Sequence, residues 1–232
     1  MDSPAYTIRR SPRRKTVSIR INPDKSIVIL APAGLSDARI SEVVLQKKAW
    51  IRKQYNELDR CRYHCQKHQF DHGEIFLYQG RQLRLRHITG RGGVEVGDDI
   101  ISVAIPPGLM DCLERRRFVS KQLRQFYRSR AHEILRNKTF TLGKMHALEP
   151  LFVATKEYSS RWGCCFGDGR IYFNWKIIMA PEAIIDYVII HELCHLRMAN
   201  HSPGFWSLVE NILPDWRERR LWLRRNGHAL IM

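Results

Sequence analysis

No stretch of this 232-residue chain approaches the about eighteen consecutive apolar residues that a membrane-crossing helix needs. The opening Met1-Asp2-Ser3-Pro4 leads into Arg9-Arg10-Ser11-Pro12-Arg13-Arg14-Lys15 with no apolar segment behind it. A secretory leader is therefore not expected, and a cytoplasmic location is. No Cys-x-x-Cys pair occurs among the six cysteines, Cys61, Cys65, Cys112, Cys164, Cys165 and Cys194. That leaves no zinc ribbon and predicts free thiols. Cys61 and Cys65, with His64 and His68 nearby, could form a second metal site, but a packed or exposed helix end suits them better. Acidic residues are few: 23 Asp and Glu against 39 Lys and Arg, a net charge of +16. Such an excess draws nucleotides, nucleic acid or other anionic partners over long range, although no nucleic-acid-reading motif accompanies it. With 44% hydrophobic and 27% charged residues, the chain is too apolar for disorder and long enough for one sizeable core or two small ones.

What is present centres on His191-Glu192-Leu193-Cys194-His195, preceded by the apolar run Val188-Ile189-Ile190 and followed by Asn200-His201-Ser202-Pro203. Residues four apart on a helix share one face, about 6 Å apart along the axis. His191 and His195 can thus offer their imidazoles to one metal ion, with Glu192 beside them as general base. Two histidines on a buried helix can also be hydrogen-bonded core residues, and His201 tips the balance. At about 100° per residue it would face away from the metal on a continuous helix. If it is a ligand, the helix must stop between about Leu196 and Asn200. Asn200 suits a C-terminal cap, and Ser202-Pro203 suits an N-cap followed by Pro at the first helical position.

Around this motif the pattern predicts an α+β protein: a β-rich N-terminal region with one helix over residues 1–108, then a minimal helical catalytic domain with a small antiparallel sheet over 109–232. Pro106-Pro107-Gly108 is the expected boundary. Residues 16–21 and 26–30 alternate as a hairpin across Asn22-Pro23-Asp24-Lys25. A helix capped by Ser36 should run to about Asp59, with Ile40, Val43, Val44, Trp50, Ile51 and Leu58 inward. Segments 74–78, 82–88, 94–96 and 100–105 suggest an antiparallel meander. A long helix is expected from about Asp111 to Lys138, packed beside the metal helix. Residues 151–158 and 169–178 should be strands, joined by a loop in which Arg161 could hold a carboxylate or phosphate or donate a structural ion pair. The second strand, directly before the metal helix, is the candidate edge for pairing with an extended substrate. Helices over residues 203–213 and 215–226 should close the chain.

Ser160-Arg161-Trp162-Gly163-Cys164-Cys165, Asn174-Trp175, the segment 180–196 and Asn200-His201-Ser202-Pro203-Gly204-Phe205-Trp206 together resemble the YgjP-like metallopeptidase family, one of the zincins, and are similar to the SprT and WLM groups. The resemblance extends from Arg9 to His228. It implies a metal-dependent hydrolase with zinc on His191, His195 and His201 and Glu192 as general base; Arg161 and Asn174 are the candidate substrate contacts. A peptide or protein substrate follows. The family usually has Ser where Cys164 stands. Met198 replaces the Gly of the metzincin motif, and the zinc ribbon of SprT relatives is missing. Hydrolysis of a nucleoside triphosphate such as UTP, or a nucleic-acid-associated protease, are the alternatives.

Overall fold

The computed structural model describes residues 5–22, 26–52, 54–55, 68–109 and 111–232. Two compact units divide the chain, Met1–Gln66 and Lys67–Met232. The expected boundary at Pro106-Pro107-Gly108 lies inside the second unit, where the front β-segments and the rear helices share one buried core.

In the first unit, β1 (Tyr6–Ser11), β2 (Ser18–Ile21) and β3 (Ile27–Pro32) form a sheet in the order β1-β3-β2. The predicted hairpin is β2 and β3, antiparallel with Ser18 opposite Leu30; residues 23–25 of its turn lie outside the described residues. The sequence reading missed β1, which pairs parallel with β3. Ser36 caps α1 (Asp37–Gln46) by accepting from the Arg39 N–H, as its side chain favours at an N-cap. The helix breaks at Lys47, and residues 48–52 and 54–55 are helical again. Ile40, Val44 and Ile51 face Ile27, Ile29 and Ala31 in the core of this unit, whereas Trp50 is exposed. Leu58, Asp59, Cys61, His64 and Cys65 lie outside the described residues.

The second unit opens with β4 (Ile75–Tyr78), β5 (Arg81–Thr89), β6 (Val94–Val96) and β7 (Ile100–Ile105), in the sheet order β4-β5-β7-β6. All four segments stand where alternation placed them. The pairing is not a simple meander, because β5 runs parallel to β7, with Leu85 opposite Ile101. Then α2 runs from Cys112 to Met145, capped by Asp111 accepting from the Glu114 N–H at 2.8 Å. It is longer than predicted. Gly143, which reads as a breaker, is buried where a Cβ would stand 2.7 Å from Leu148 O, so the chain after the helix folds back over its last turn. One buried stripe, Val119, Leu123, Tyr127, Ala131, Leu135, Thr139 and Gly143, runs the length of α2.

Behind it, β8 (Phe152–Lys156), β9 (Gly163–Cys165) and β10 (Arg170–Asn174) form a third sheet in the order β8-β10-β9, with β10 parallel to β8 and antiparallel to β9. Strand β10 ends at Asn174, and Trp175–Met179 winds into a buried 3-10 turn. Next come α3 (Glu182–Cys194), α4 (Pro203–Ile212) and α5 (Trp216–Asn226). Helix α3 is apolar on nearly every side, as a helix enclosed by neighbours must be, and it packs against α2, β9, α4 and α5. The α+β class stands, with three small mixed sheets. Among the described residues no helix is long and apolar enough to cross a membrane.

Candidate metal centre

Helix α3 carries His191 on its last turn and ends with His195 as its C-cap. The chain then turns through 196–202. Ser202 caps α4, its Oγ accepting from the Phe205 N–H, with Pro203 at the first helical position. The Ser202-Pro203 start is as the residue types predict, whereas the helix stops earlier than expected, at Cys194 with His195 and not Asn200 as its cap; the corner swings His201 back over the end of α3. One ring nitrogen from each of His191, His195 and His201 lies within 4.8 Å of the others, a set that could hold one metal ion. His191 Nε2 and His201 Nε2 are 3.0 Å apart. Two nitrogens bound tetrahedrally at about 2.0–2.1 Å stand about 3.3 Å from each other, so the spacing fits a shared ion.

The protonation pattern fits too. His195 Nδ1–H donates to Met198 O at 2.9 Å, since a carbonyl only accepts, and this leaves Nε2 as the lone-pair nitrogen. Such outer hydrogen bonds fix the tautomer of a ligating histidine. Burial, with His195 and His201 alongside, pushes His191 down to about 3; His201 is also lowered, chiefly by burial. Both rings therefore keep free lone pairs at neutral pH. Phe205 stacks on His195 with ring centroids 4.5 Å apart, and Trp206 stacks on His201 at 5.5 Å, walling the cluster on the α4 side. His191 Nδ1 is buried with no hydrogen-bond partner among the described residues.

Glu192 is 6% exposed, an unusual position for a carboxylate, and burial raises its pKa to about 7 against the pull of the Cys165 N–H and of Arg161. It lies against the backbone of β9. A Cβ at Gly163 would come within 2.5 Å of Glu192 Cγ and Oε1, so only glycine lets strand and carboxylate approach this closely. The cleft so formed has a volume of about 330 Å³ and is lined by β9, Arg161 and the three histidines with Glu192.

Two expectations change here. The strand over 169–178 cannot offer an edge, because β10 has β8 on one side and β9 on the other. The edge strand on the cleft side is β9, a three-residue Gly-Cys-Cys too short to show alternation. Asn174, a candidate substrate contact, is buried, and its amide is fully engaged. Nδ2 donates to Tyr158 O at 2.9 Å and to Arg161 O at 3.3 Å, while Oδ1 accepts from the Lys176 N–H. It anchors the loop that carries Arg161. Arg161 itself is exposed at the cleft, with Nη1 3.6 Å from Cys164 Sγ. The sequence reading missed Gly163; the only signal was its place beside the unusual Cys164-Cys165 pair.

No curated protein matches the chain. The crystal structure of the metallopeptidase zymogen of Pyrococcus abyssi abylysin is similar over 39% of this chain and 93% of that one, at 21% identity and a TM-score of 0.35. The family model for the YgjP-like metallopeptidase domain matches residues 15–226. That span takes in most of both compact units and the whole histidine corner, and the chain therefore belongs to the YgjP-like family of metal-dependent hydrolases.

Proposed function

We propose that the protein is a zinc-dependent peptidase in which His191, His195 and His201 hold the ion and Glu192 is the general base. The observation that carries this reading is the convergence of three imidazole nitrogens within 4.8 Å beside a buried carboxylate. Zinc bound there supplies a Lewis acid that polarises the scissile carbonyl and acidifies water. Glu192 accepts the proton of the attacking water and passes it to the leaving amine nitrogen, a role its place beside the three imidazoles suits. The outer edge of β9 pairs with an extended substrate and aligns it across the cleft. Asn174 acts through the backbone, as a positioning residue for the Arg161 loop.

The donor set argues against the nucleotide alternative. Magnesium-dependent phosphoanhydride chemistry uses carboxylate-rich oxygen sites, whereas three imidazoles suit zinc. A cytoplasmic location is part of the proposal. Cys112, Cys164, Cys165 and Cys194 are all free thiols, as a reducing compartment would keep them.

The deciding experiment is the metal content of the purified protein beside His201→Ala, followed by turnover of casein and of UTP. Near-stoichiometric zinc, lost in the variant, together with casein cleavage is the expected result. Glu192→Gln should retain zinc and lose roughly 10²–10⁴-fold in kcat. Full activity in that variant would sink the mechanism. Turnover of UTP alone would replace the substrate class.

A further inference from the structure

The cleft at the histidines does not end at Glu192. On the far side of that residue it continues into a cavity of about 220 Å³, lined by Arg161, Trp162, Gly163, Tyr187, Val188, His191, Glu192 and Leu223. Trp162, Tyr187 and Leu223 also line a larger cavity of about 690 Å³ that runs along α5 to Trp216, Arg217, Arg220 and Arg224. The two cavities therefore share a wall, and together they lead from the proposed general base to the basic face of α5.

The charges along this route are one-sided. Among the described residues, Glu192 is the only acidic side chain lining the cleft or either cavity. Arg217 is ion-paired with Glu210. Among the described residues, Arg161, Arg220 and Arg224 make no ion pair with a carboxylate. Arg220 lies instead over the Trp206 ring, 4.7 Å from its centroid, and Trp206 stacks on Trp216 at 4.3 Å. Residues 217, 220 and 224 fall on one helical face, so α5 turns its cations toward the cavity. The field reaches the site: Arg220 bears on Tyr187, His191 and His201, and Arg161 on Glu192. A guanidinium held over an aromatic face keeps its fork free for a planar carboxylate, and the apolar walls from Trp162, Tyr187 and Leu223 suit the stem of a side chain on the way to it.

We propose that this cavity, with Arg220 and Arg224 at its far end, is a subsite for a carboxylate of the substrate peptide, so that the site selects acidic peptides. The proposal rests on the peptidase reading and adds the substrate class to it. The carboxylate belongs to an Asp or Glu side chain next to the cleaved bond, or to the peptide's own C-terminus.

The test uses one peptide sequence in which Glu, Gln or Lys is walked through each position, with a free or an amidated C-terminus. Cleavage is followed with the zinc-loaded protein and binding with zinc-loaded Glu192→Gln. The expected result is a tenfold or greater preference for Glu over Gln at one position only, with Lys worse than Gln. A preference that follows the free C-terminus instead assigns the carboxylate to the chain end. Replacing Arg220 and Arg224 together by Ala should erase the preference while zinc content stays the same. Equal binding of Glu and Gln peptides at every position would overturn the proposal. So would a preference that is the same at all positions, which reports only the net positive charge, or one that survives the double replacement. An oligonucleotide that displaces the Glu peptide at lower concentration would reassign the tract to nucleic acid. If the Glu peptide binds selectively but nothing is cleaved, the peptidase reading falls and the carboxylate subsite stands.

Discussion

Gly163 and Glu192 hold each other in place. The glycine gives the carboxylate room that any Cβ would fill, at 2.5 Å from Glu192 Oε1. The carboxylate in turn takes the Cys165 N–H of the same strand. Gly163→Ala must therefore push Glu192 off its position, and a displacement of about 1 Å in a catalytic group can cost on the order of 10²-fold in rate. The expected outcome is a fall of that order in kcat with zinc content unchanged, measured by turnover beside metal analysis of the same preparation. Retained activity would mean that Glu192 has freedom the packing does not suggest. At this scale the sequence was informative wherever spacing fixes an angle. His191 and His195 had to share a face, and His201 needed a turn that Asn200, Ser202 and Pro203 could supply. It was silent on Gly163, because the residue's importance lies in a neighbour 29 positions away in the chain, which no local pattern encodes.

Elements were legible by type more than by partner. Alternation located β4 to β7 and the β2–β3 hairpin, but it carries no information on which strands lie side by side. The parallel pairs β1–β3, β5–β7 and β8–β10 were accordingly missed. The status of β10 went wrong for the same reason: whether a strand is central or at an edge depends on a neighbour that can be as short as β9. One electrostatic joint ties these elements together. Glu157, just after β8, pairs with Lys176 in the 3-10 turn at 3.0 Å and with Arg128 of α2 at 2.6 Å. Its carboxyl is lowered to about 2 from the ordinary 4.5, chiefly by the Lys176 hydrogen bond. Because the folded value is the lower one, the joint stabilises fully above pH 4.5 and loses its contribution as pH falls from there through about 2. The pair is partly exposed, so about 1 kcal/mol or less is expected. Denaturation of Glu157→Gln beside the parent should show a small deficit at pH 7 that shrinks below pH 4.5 and closes only as pH approaches about 2. A gap that stays constant with pH would remove the electrostatic explanation.

For the whole molecule, the cluster lies within Lys67–Met232, the unit whose core takes in both the four-stranded sheet and the metal-centre helices. A ligand that binds only the folded state at a thousand times its Kd stabilises by about 4 kcal/mol. In a chain of this size that corresponds to roughly 10 °C in Tm. Chelation of zinc is expected to lower the thermal transition of this unit by about that amount, and zinc addition to restore it. The check is scanning calorimetry with His201→Ala as the control that no longer responds. The net charge of +16 acts at the same scale. It raises encounter rates with any anionic substrate and weakens with salt, which is why position dependence, and not affinity alone, must identify a built subsite.

The buried stripe of α2 repeats every four residues from Val119 to Gly143, while the helix repeats about every 3.6. Each step therefore advances about 40° around the axis, and the stripe winds through roughly 240° along a helix about 50 Å long. Near the middle of α2 Tyr127 donates to Leu77 O in β4; farther along, Lys138 meets Asp186 of α3. These two contacts stand eleven residues apart, three turns and only about 20° of phase, so the sheet and the metal helix engage nearly the same face of α2, like gears cut on one shaft. An Ala inserted after Ala131 would leave composition and helix propensity almost unchanged, yet turn everything behind it by about 100°. Zinc stoichiometry in that insertion variant reads the timing of the shaft directly, and its loss is the expected result.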